Sequence, residues 1–203
     1  MHDDSCDVVV VGAGPTGSAA ALTLAKAGVS VVLLERGDYP GSKNMFGGTI
    51  YRKATEQIIP AFWQEAPLER AVITDEIWLM DENSAVKMGY TGLDFATEPF
   101  NKFTVLRSKF DSWLTQKAKE AGAVFRNRAL VRELVYDQGL LGRKRFKGVK
   151  LESGEVIWAD VTILAEGVTA FLAKAVGLRQ ELPPETLTLY VAEVMALPKE
   201  KIE

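Results

Sequence analysis

The chain has 203 residues, of which 47% are hydrophobic and 25% charged, with a formal net charge of −3. That composition supplies a sizeable core and excludes a disordered chain, and the mildly acidic balance excludes a dedicated nucleic-acid binder, which carries a basic face. The only cysteine, Cys6, and the only histidine, His2, both lie in the N-terminal lead-in, so no disulfide framework and no thiolate or imidazole metal centre is expected.

The first element is a run of valines, Val8 to Val11, which suits a buried parallel strand. Gly12-Ala13-Gly14-Pro15-Thr16-Gly17 follows, then an alanine-rich helix over 15–27 stopped by Gly28, then a second strand over 29–34 that ends in Glu35. These pieces form a dinucleotide-binding βαβ unit. Gly12 allows the tight turn, Gly14 lets the backbone approach a pyrophosphate, and Gly17 lets the helix lie close to the strand. The unpaired N–H groups and positive dipole end of the helix favour the phosphates. Glu35 stands where a carboxylate accepts the hydroxyls of an adenosine ribose, and it repels the 2′-phosphate that Arg36 could otherwise meet. FAD and NAD both satisfy this pattern.

Residues 37–44 form a turn-rich loop, followed by a helix over 53–59 closed by Pro60. Strands over 70–80 and 85–90, joined through 81–84, read as a hairpin with one covered face, and residues 51–100 as an excursion into a second domain. The chain returns in a strand at 103–107. Ser108 then caps a helix, with Asp111 three residues on, that runs to Gly122. A third parallel strand is expected at 123–125, and an antiparallel meander at 129–136, 147–152 and 156–159. A solid apolar strand over 161–165 closes on Glu166-Gly167, a helix covers 169–176, and another long strand begins at 186–197. Arg143, Lys144, Arg145 and Lys147 read as a solvated hairpin tip, and Trp63, Trp78, Trp113 and Trp158 as packing residues. The N-terminus lacks the basic and apolar regions of a secretory signal, and no apolar run approaches the ~18–20 residues that span a bilayer. A cytoplasmic protein is expected, with peripheral membrane contact left open.

This order of elements resembles the FAD-binding domain of the glutathione-reductase-like flavoproteins. The run Leu34-Glu35-Arg36-Gly37-Asp38-Tyr39-Pro40-Gly41-Ser42-Lys43-Asn44 with Gly47-Gly48, then Ile58-Ile59-Pro60 and Ala66-Pro67-Leu68-Glu69-Arg70, is similar to the FixC-like branch of the electron-transfer-flavoprotein:quinone oxidoreductases, whose pattern geranylgeranyl reductases share. The resemblance implies an α/β fold: a Rossmann-type FAD-binding domain with a parallel sheet and a β-meander at 1–50 and 101–183, and the start of a second, antiparallel-sheet domain at 51–100 and 184–203. It also implies that the C-terminal part of the fold, including a further FAD-contacting segment, lies beyond this chain, which alone could be a binding module without turnover.

The resemblance carries FAD onto Gly12, Ala13, Gly14, Pro15, Thr16 and Gly17 at the pyrophosphate and onto Glu35 and Arg36 at the adenosine. Lys43, Asn44, Gly47 and Gly48 match the loop passing the flavin, and Arg107 matches an arginine that reaches a phosphate. Leu130 and Val131 match the strand offering backbone to adenine, and Ala165, Glu166 and Gly167 a motif that usually carries aspartate at its centre. Two simpler readings stand beside these: Arg107 pairing within its own helix, and Lys43 as a solvated loop residue. No catalytic acid, base or nucleophile is assigned. The implied activity passes electrons from a reduced electron-transfer flavoprotein to a quinone-type acceptor. Prenyl reduction and flavin monooxygenation are its rivals, and the iron–sulfur ligands of longer quinone oxidoreductases are missing.

Overall fold

The structure is a computed structural model and describes residues 5–44, 47–138, 144–188, 191, 193 and 195–201. β1 (Ser5–Val11), α1 (Pro15–Lys26) and β2 (Val31–Leu34) form the expected unit, with Val8 beside Val31 and Val11 beside Leu34 in parallel register. Because successive side chains of a strand point to opposite faces, the valine run serves two cores. Val8 and Val10 pack with Ala21, Leu22, Phe110 and Leu114 on one side, and Val9 and Val11 with Val131, Val149, Leu151 and Ile157 on the other.

After β2 the chain forms β3 (Gly47–Tyr51) and a helix α2 (Arg52–Glu56), which is shorter than the 53–59 helix expected. The stretch expected as one strand over 70–80 divides into β4 (Leu68–Ala71) and β5 (Thr74–Met80), which belong to different sheets. β5 pairs with β6 (Ala85–Thr91) as the expected hairpin, Ile77 opposite Met88 and Leu79 opposite Val86. The covered face does not materialise: every residue of both strands is exposed, since the pair forms a sheet of its own. Trp78 accordingly does not pack in a core. Its ring lies 3.7 Å from the Lys87 ammonium and its indole N–H donates to Glu76. Trp63, by contrast, meets Phe62 and Phe100 edge-on.

β7 (Lys102–Leu106) pairs with β3 and β4 in a three-stranded antiparallel sheet. Its Phe103 and Val105, together with Ile59 and Phe62, join the same core as α1, so this sheet packs on the dinucleotide-binding unit. α3 (Arg107–Glu120) begins one residue before Ser108, behind Leu106, and without a side-chain cap. Asp111 is not part of a capping box, because its carboxylate goes to Arg107. α1 and α3 are stitched by a buried hydroxyl pair, Ser18 Oγ to Thr115 Oγ1 at 2.7 Å.

β8 (Val124–Arg126) adds the third parallel strand beside β2. β9 (Val131–Gln138) and β10 (Lys144–Leu151) pair antiparallel, and the tip between them, including Arg143, lies outside the described residues. The third meander strand and the closing apolar strand prove to be one: β11 (Val156–Leu164) runs antiparallel to β10 and parallel to β1. Asp160, polar and exposed, interrupts the apolar pattern without shifting the parallel register between β1 and β11. The main sheet therefore has the order β8-β2-β1-β11-β10-β9.

α4 (Phe171–Ala175) is shorter than the 169–176 helix expected, starting behind Ala170 in the left-handed region at φ 43°. No described residue of 186–197 is in a strand; Thr186 closes a 3₁₀ turn, Pro184–Thr186, while Leu187, Val191, Met195 and Leu197 are exposed. Strand propensity without a hydrogen-bonding partner does not make a strand. Among the described residues, no helix is long and apolar enough to cross a membrane, and no group of three acidic, cysteine or histidine residues is placed to hold a metal.

Candidate dinucleotide site

A cavity of about 600 Å³ opens at the carboxyl ends of β1, β2 and β11, within the ~300–1,000 Å³ of small-molecule sites. Its floor is the glycine turn. Gly12 has φ +103°, and a Cβ there would stand 2.5 Å from the Ala165 carbonyl oxygen, so strand β11 and the turn touch backbone to backbone. Gly17 is buried, and a Cβ on it would stand 1.8 Å from the Gly12 carbonyl oxygen. Gly14 differs: the nearest heavy atom to its missing Cβ is Arg107 Nη2 at 3.9 Å, so this is backbone laid open to the cavity. α1 carries no acidic residue in its first turn, Pro15 occupies that turn, and the first-turn N–H groups have no intrahelical acceptors. Backbone donors and a positive dipole end thus converge on one exposed spot, the arrangement that suits a diphosphate.

Glu35 holds the turn to β2. Its Oε2 accepts the Ala13 N–H at 3.0 Å and its Oε1 accepts the Gly37 N–H at 2.8 Å. One lone pair of each oxygen is so used, and the others remain for hydroxyl donors. Arg36 and Lys43 line the cavity from exposed positions, with no ion-pair partner among the described residues, so two cations border the anion site. The opposite wall is the 129–131 segment. Ala129 donates its N–H to the Glu35 carbonyl and Arg128 to that of Gly37, which fixes this wall to the end of β2. Leu130 and Val131 both line the cavity.

Arg107 enters from the first residue of α3. Its Nε and Nη2 each donate to Asp111 at 2.8 Å, the pairing within its own helix that was the simpler expectation, and the guanidinium nevertheless borders the cavity. Asp111 is 1% exposed, and this burial raises its carboxyl above the usual range, opposed by the Arg107 hydrogen bond and reinforced by the charge of Glu35.

Glu166 lines the cavity and, like Glu35, has one lone pair of each carboxylate oxygen taken by a backbone N–H. Oε1 takes the Leu172 N–H at 2.9 Å and Oε2 the Ala173 N–H at 3.1 Å, closing the start of α4. One residue just past the end of β11 thus holds amides six and seven positions on. Glu166→Ala is expected to cost about 1 kcal/mol in urea unfolding, the usual worth of a helix-terminal acceptor.

Of the residues expected from the sequence, Gly12, Gly14, Pro15, Thr16, Glu35, Arg36, Lys43, Asn44, Arg107, Leu130, Val131, Ala165, Glu166 and Gly167 line this one cavity. Ala13 and Gly17 stand behind it in supporting positions. Gly47 and Gly48 do not reach it: they form the start of β3, paired with Leu106 and Val105. Sequence reasoning missed Asp111, Thr169 and the exposed rim residues Val168 and Phe171. Asp111 carried a legible signal, its i+4 spacing from Arg107.

The residues present fit a dinucleotide by three observations: an open glycine backbone, an unpartnered helix N-terminus and a fixed carboxylate at the end of β2. The profile of the family described as FAD dependent oxidoreductase matches residues 7–182. The chain is 45% identical over 205 residues to Protein FixC of Bradyrhizobium diazoefficiens, covering 100% of this chain and 46% of that protein. To Protein FixC of Escherichia coli K12 it is 40% identical over 203 residues, again 100% of this chain and 46% of the relative. The chain thus spans about half the length of the curated relatives it matches. A solved geranylgeranyl bacteriochlorophyll reductase-like protein from Thermoplasma acidophilum shares the fold, with TM-score 0.71 and 22% identity over 87% of this chain and 43% of that one. The chain belongs to the FAD-dependent oxidoreductase family, with FAD as its cofactor.

Proposed function

We propose that this chain is the FAD-binding part of an oxidoreductase that passes electrons from a reduced electron-transfer flavoprotein to a quinone-type acceptor. The observation that carries the FAD assignment is the open backbone at Gly14 beneath the N-terminus of α1, flanked by the fixed Glu35 carboxylate. Donor and acceptor rest on the loop Pro40-Gly41-Ser42-Lys43-Asn44 and on the likeness to FixC proteins. When bound, the isoalloxazine supplies the redox chemistry. This chain's residues bind and orient it: α1 and Arg107 take the diphosphate, Glu35 the adenosine ribose, and the 129–131 backbone the adenine edge. Lys43 and Asn44 stand on the loop toward the flavin end. A lipid-soluble acceptor is met at a bilayer surface, so the reading carries peripheral membrane contact for a cytoplasmic protein.

Two measurements test it. The 203-residue chain is expected to bind FAD with dissociation in the micromolar range or tighter, about −8 kcal/mol, followed by quenching of flavin fluorescence; no uptake removes the proposal. The full-length protein, reduced by a reduced electron-transfer flavoprotein under anaerobic conditions, is expected to be reoxidised by a quinone and not by a prenyl lipid. Reoxidation by the prenyl lipid instead assigns the reductase reading.

A further inference from the structure

We propose that Asp111 is a positioning residue for diphosphate recognition, holding the Arg107 guanidinium so that its unbonded edge faces the N-terminus of α1. This inference rests on the FAD reading above and adds to it a residue that neither the glycine fingerprint nor the carboxylate of β2 reveals.

An arginine at a cavity mouth samples many rotamers and loses that freedom when it grips an anion, which weakens binding. Here the freedom is already gone. Two parallel N–H···O bonds of 2.8 Å tie Nε and Nη2 to the two oxygens of one carboxylate, which fixes the plane of the guanidinium as well as its position. The carboxylate is itself immobile, being 1% exposed in the face of α3 that packs on the core. The backbone beneath is also fixed. Gly41 lies so close to Arg107 that a Cβ on it would stand 2.9 Å from the Arg107 carbonyl oxygen, and Ser112 Oγ donates to the Pro40 carbonyl at 2.9 Å.

Of the five guanidinium N–H donors, two go to Asp111. The remaining three have no partner among the described residues. One of them is the second proton of Nη2, and Nη2 lies 3.9 Å from where a Cβ on Gly14 would be, so this nitrogen, tied to Asp111 through its other proton, borders the same open backbone that the first turn of α1 addresses. Glycine backbone on one side and a locked fork with three of its five donors unspent on the other form a two-sided seat for adjacent phosphates.

Electrostatics makes the proposal decidable by sign. Asp111 and Glu35 are both anionic and interact with each other, so by Coulomb's law alone removing the Asp111 charge strengthens binding of an anion. A positioning role predicts the opposite. In calorimetric titrations of the 203-residue chain, Asp111→Asn is expected to weaken ADP and FAD about tenfold while adenosine stays within about twofold, since a charge-assisted contact to phosphate is lost and the nucleoside contacts are kept. In the Arg107→Met background the same substitution is expected to change ADP affinity by less than about twofold, because Asp111 acts only through Arg107.

Unchanged or tighter ADP binding by Asp111→Asn overturns the proposal, as does an equal loss in both backgrounds. Retained adenosine affinity marks a folded variant. Should Asp111→Asn not fold, Asp111→Glu keeps the charge and displaces the carboxylate by one methylene; it is expected to weaken ADP and spare adenosine, and unaltered ADP affinity again overturns the assignment. If the unsubstituted chain binds adenosine but gains nothing from the phosphates, this inference fails while nucleotide recognition survives. If it binds none of the three, the FAD reading itself fails.

Discussion

Gly17→Ala is expected to lower the stability of the chain by at least about 3 kcal/mol and to abolish FAD uptake. The added Cβ would stand 1.8 Å from the Gly12 carbonyl oxygen and 3.2 Å from Ala165 Cβ. The first obstacle is backbone, and that backbone is held: Gly12 donates its N–H to the Leu34 carbonyl at 2.8 Å and lies against the Ala165 carbonyl. No rotamer change relieves the clash, so α1 must tilt away from β1 and β11, and overpacking of this kind exceeds the common 1–3 kcal/mol range. Gly14→Ala makes the contrast. Gly14 sits at φ −72°, which alanine adopts freely, and its new methyl meets nothing nearer than 3.9 Å. It is expected to leave the urea midpoint within about 0.5 kcal/mol of the parent and to weaken FAD strongly, because the methyl fills the space a phosphate needs. Equal destabilisation by the two substitutions would show that the turn is not organised as described.

Glu35→Ala is expected to weaken FAD about 100-fold and adenosine by a similar factor, while FMN, which lacks the adenosine, changes by less than about twofold. The proposed ribose contact supplies one part of the loss: two hydroxyls lose a charged acceptor, and hydrogen bonds to charged groups are worth about 1.5–3 kcal/mol each. The other part is the turn. Ala13 and Gly37 lose the acceptor of their N–H groups, at 3.0 and 2.8 Å, and Ala13 is fully buried, so its amide has no route to water. The same substitution therefore lowers stability by about 2 kcal/mol, read in the absence of ligand. Glu35→Gln separates the two parts. Its amide oxygen serves one backbone donor, its NH₂ faces the other, and the turn loosens even where a hydroxyl is still accepted. A stability unaffected by either change would mean that these amides find other partners.

The hairpin of β5 and β6 shows where local pattern reading stops. Ile77, Leu79, Val86, Met88 and Tyr90 occupy one face by strict alternation, and an apolar face ordinarily signals cover. Alternation reports which side chains share a face, and nothing in it reports whether another element lies on that face. The segment 186–197 makes the same point from the side of the backbone. Its β-rich composition predicts a strand, but strands are defined by partners at a distance, and the described residues of that segment have none.

Arg107 illustrates a different limit. Its place at the start of α3 was readable from the boundary between an apolar strand and an amphipathic helix, and so was its candidacy for phosphate. Pairing of Arg107 within its own helix is among the readings the sequence offers, and the i+4 spacing points to Asp111 as the partner, but the Ser108–Asp111 pattern assigns that carboxylate to a capping role that the Leu106 terminus does not permit. Glu166 reads the same way: one methylene longer than the aspartate of the motif it resembles, it turns to the amides of α4.

By itself the amino-acid sequence determined the glycine turn, the helix that follows it, the acid that ends the second strand and hence the class of ligand. All of these depend on neighbours within about thirty residues, on steric and dipolar effects that act along one short stretch of chain. Only the tertiary structure decided that β11 serves both meander and parallel sheet, that β4 and β5 part into separate sheets, and that Arg107, the 129–131 backbone and Glu166 meet the glycine turn around one cavity. Those facts depend on hydrogen bonds and packing between separate elements, many of them far apart along the chain, and such pairings leave no periodic trace in the order of the residues that make them.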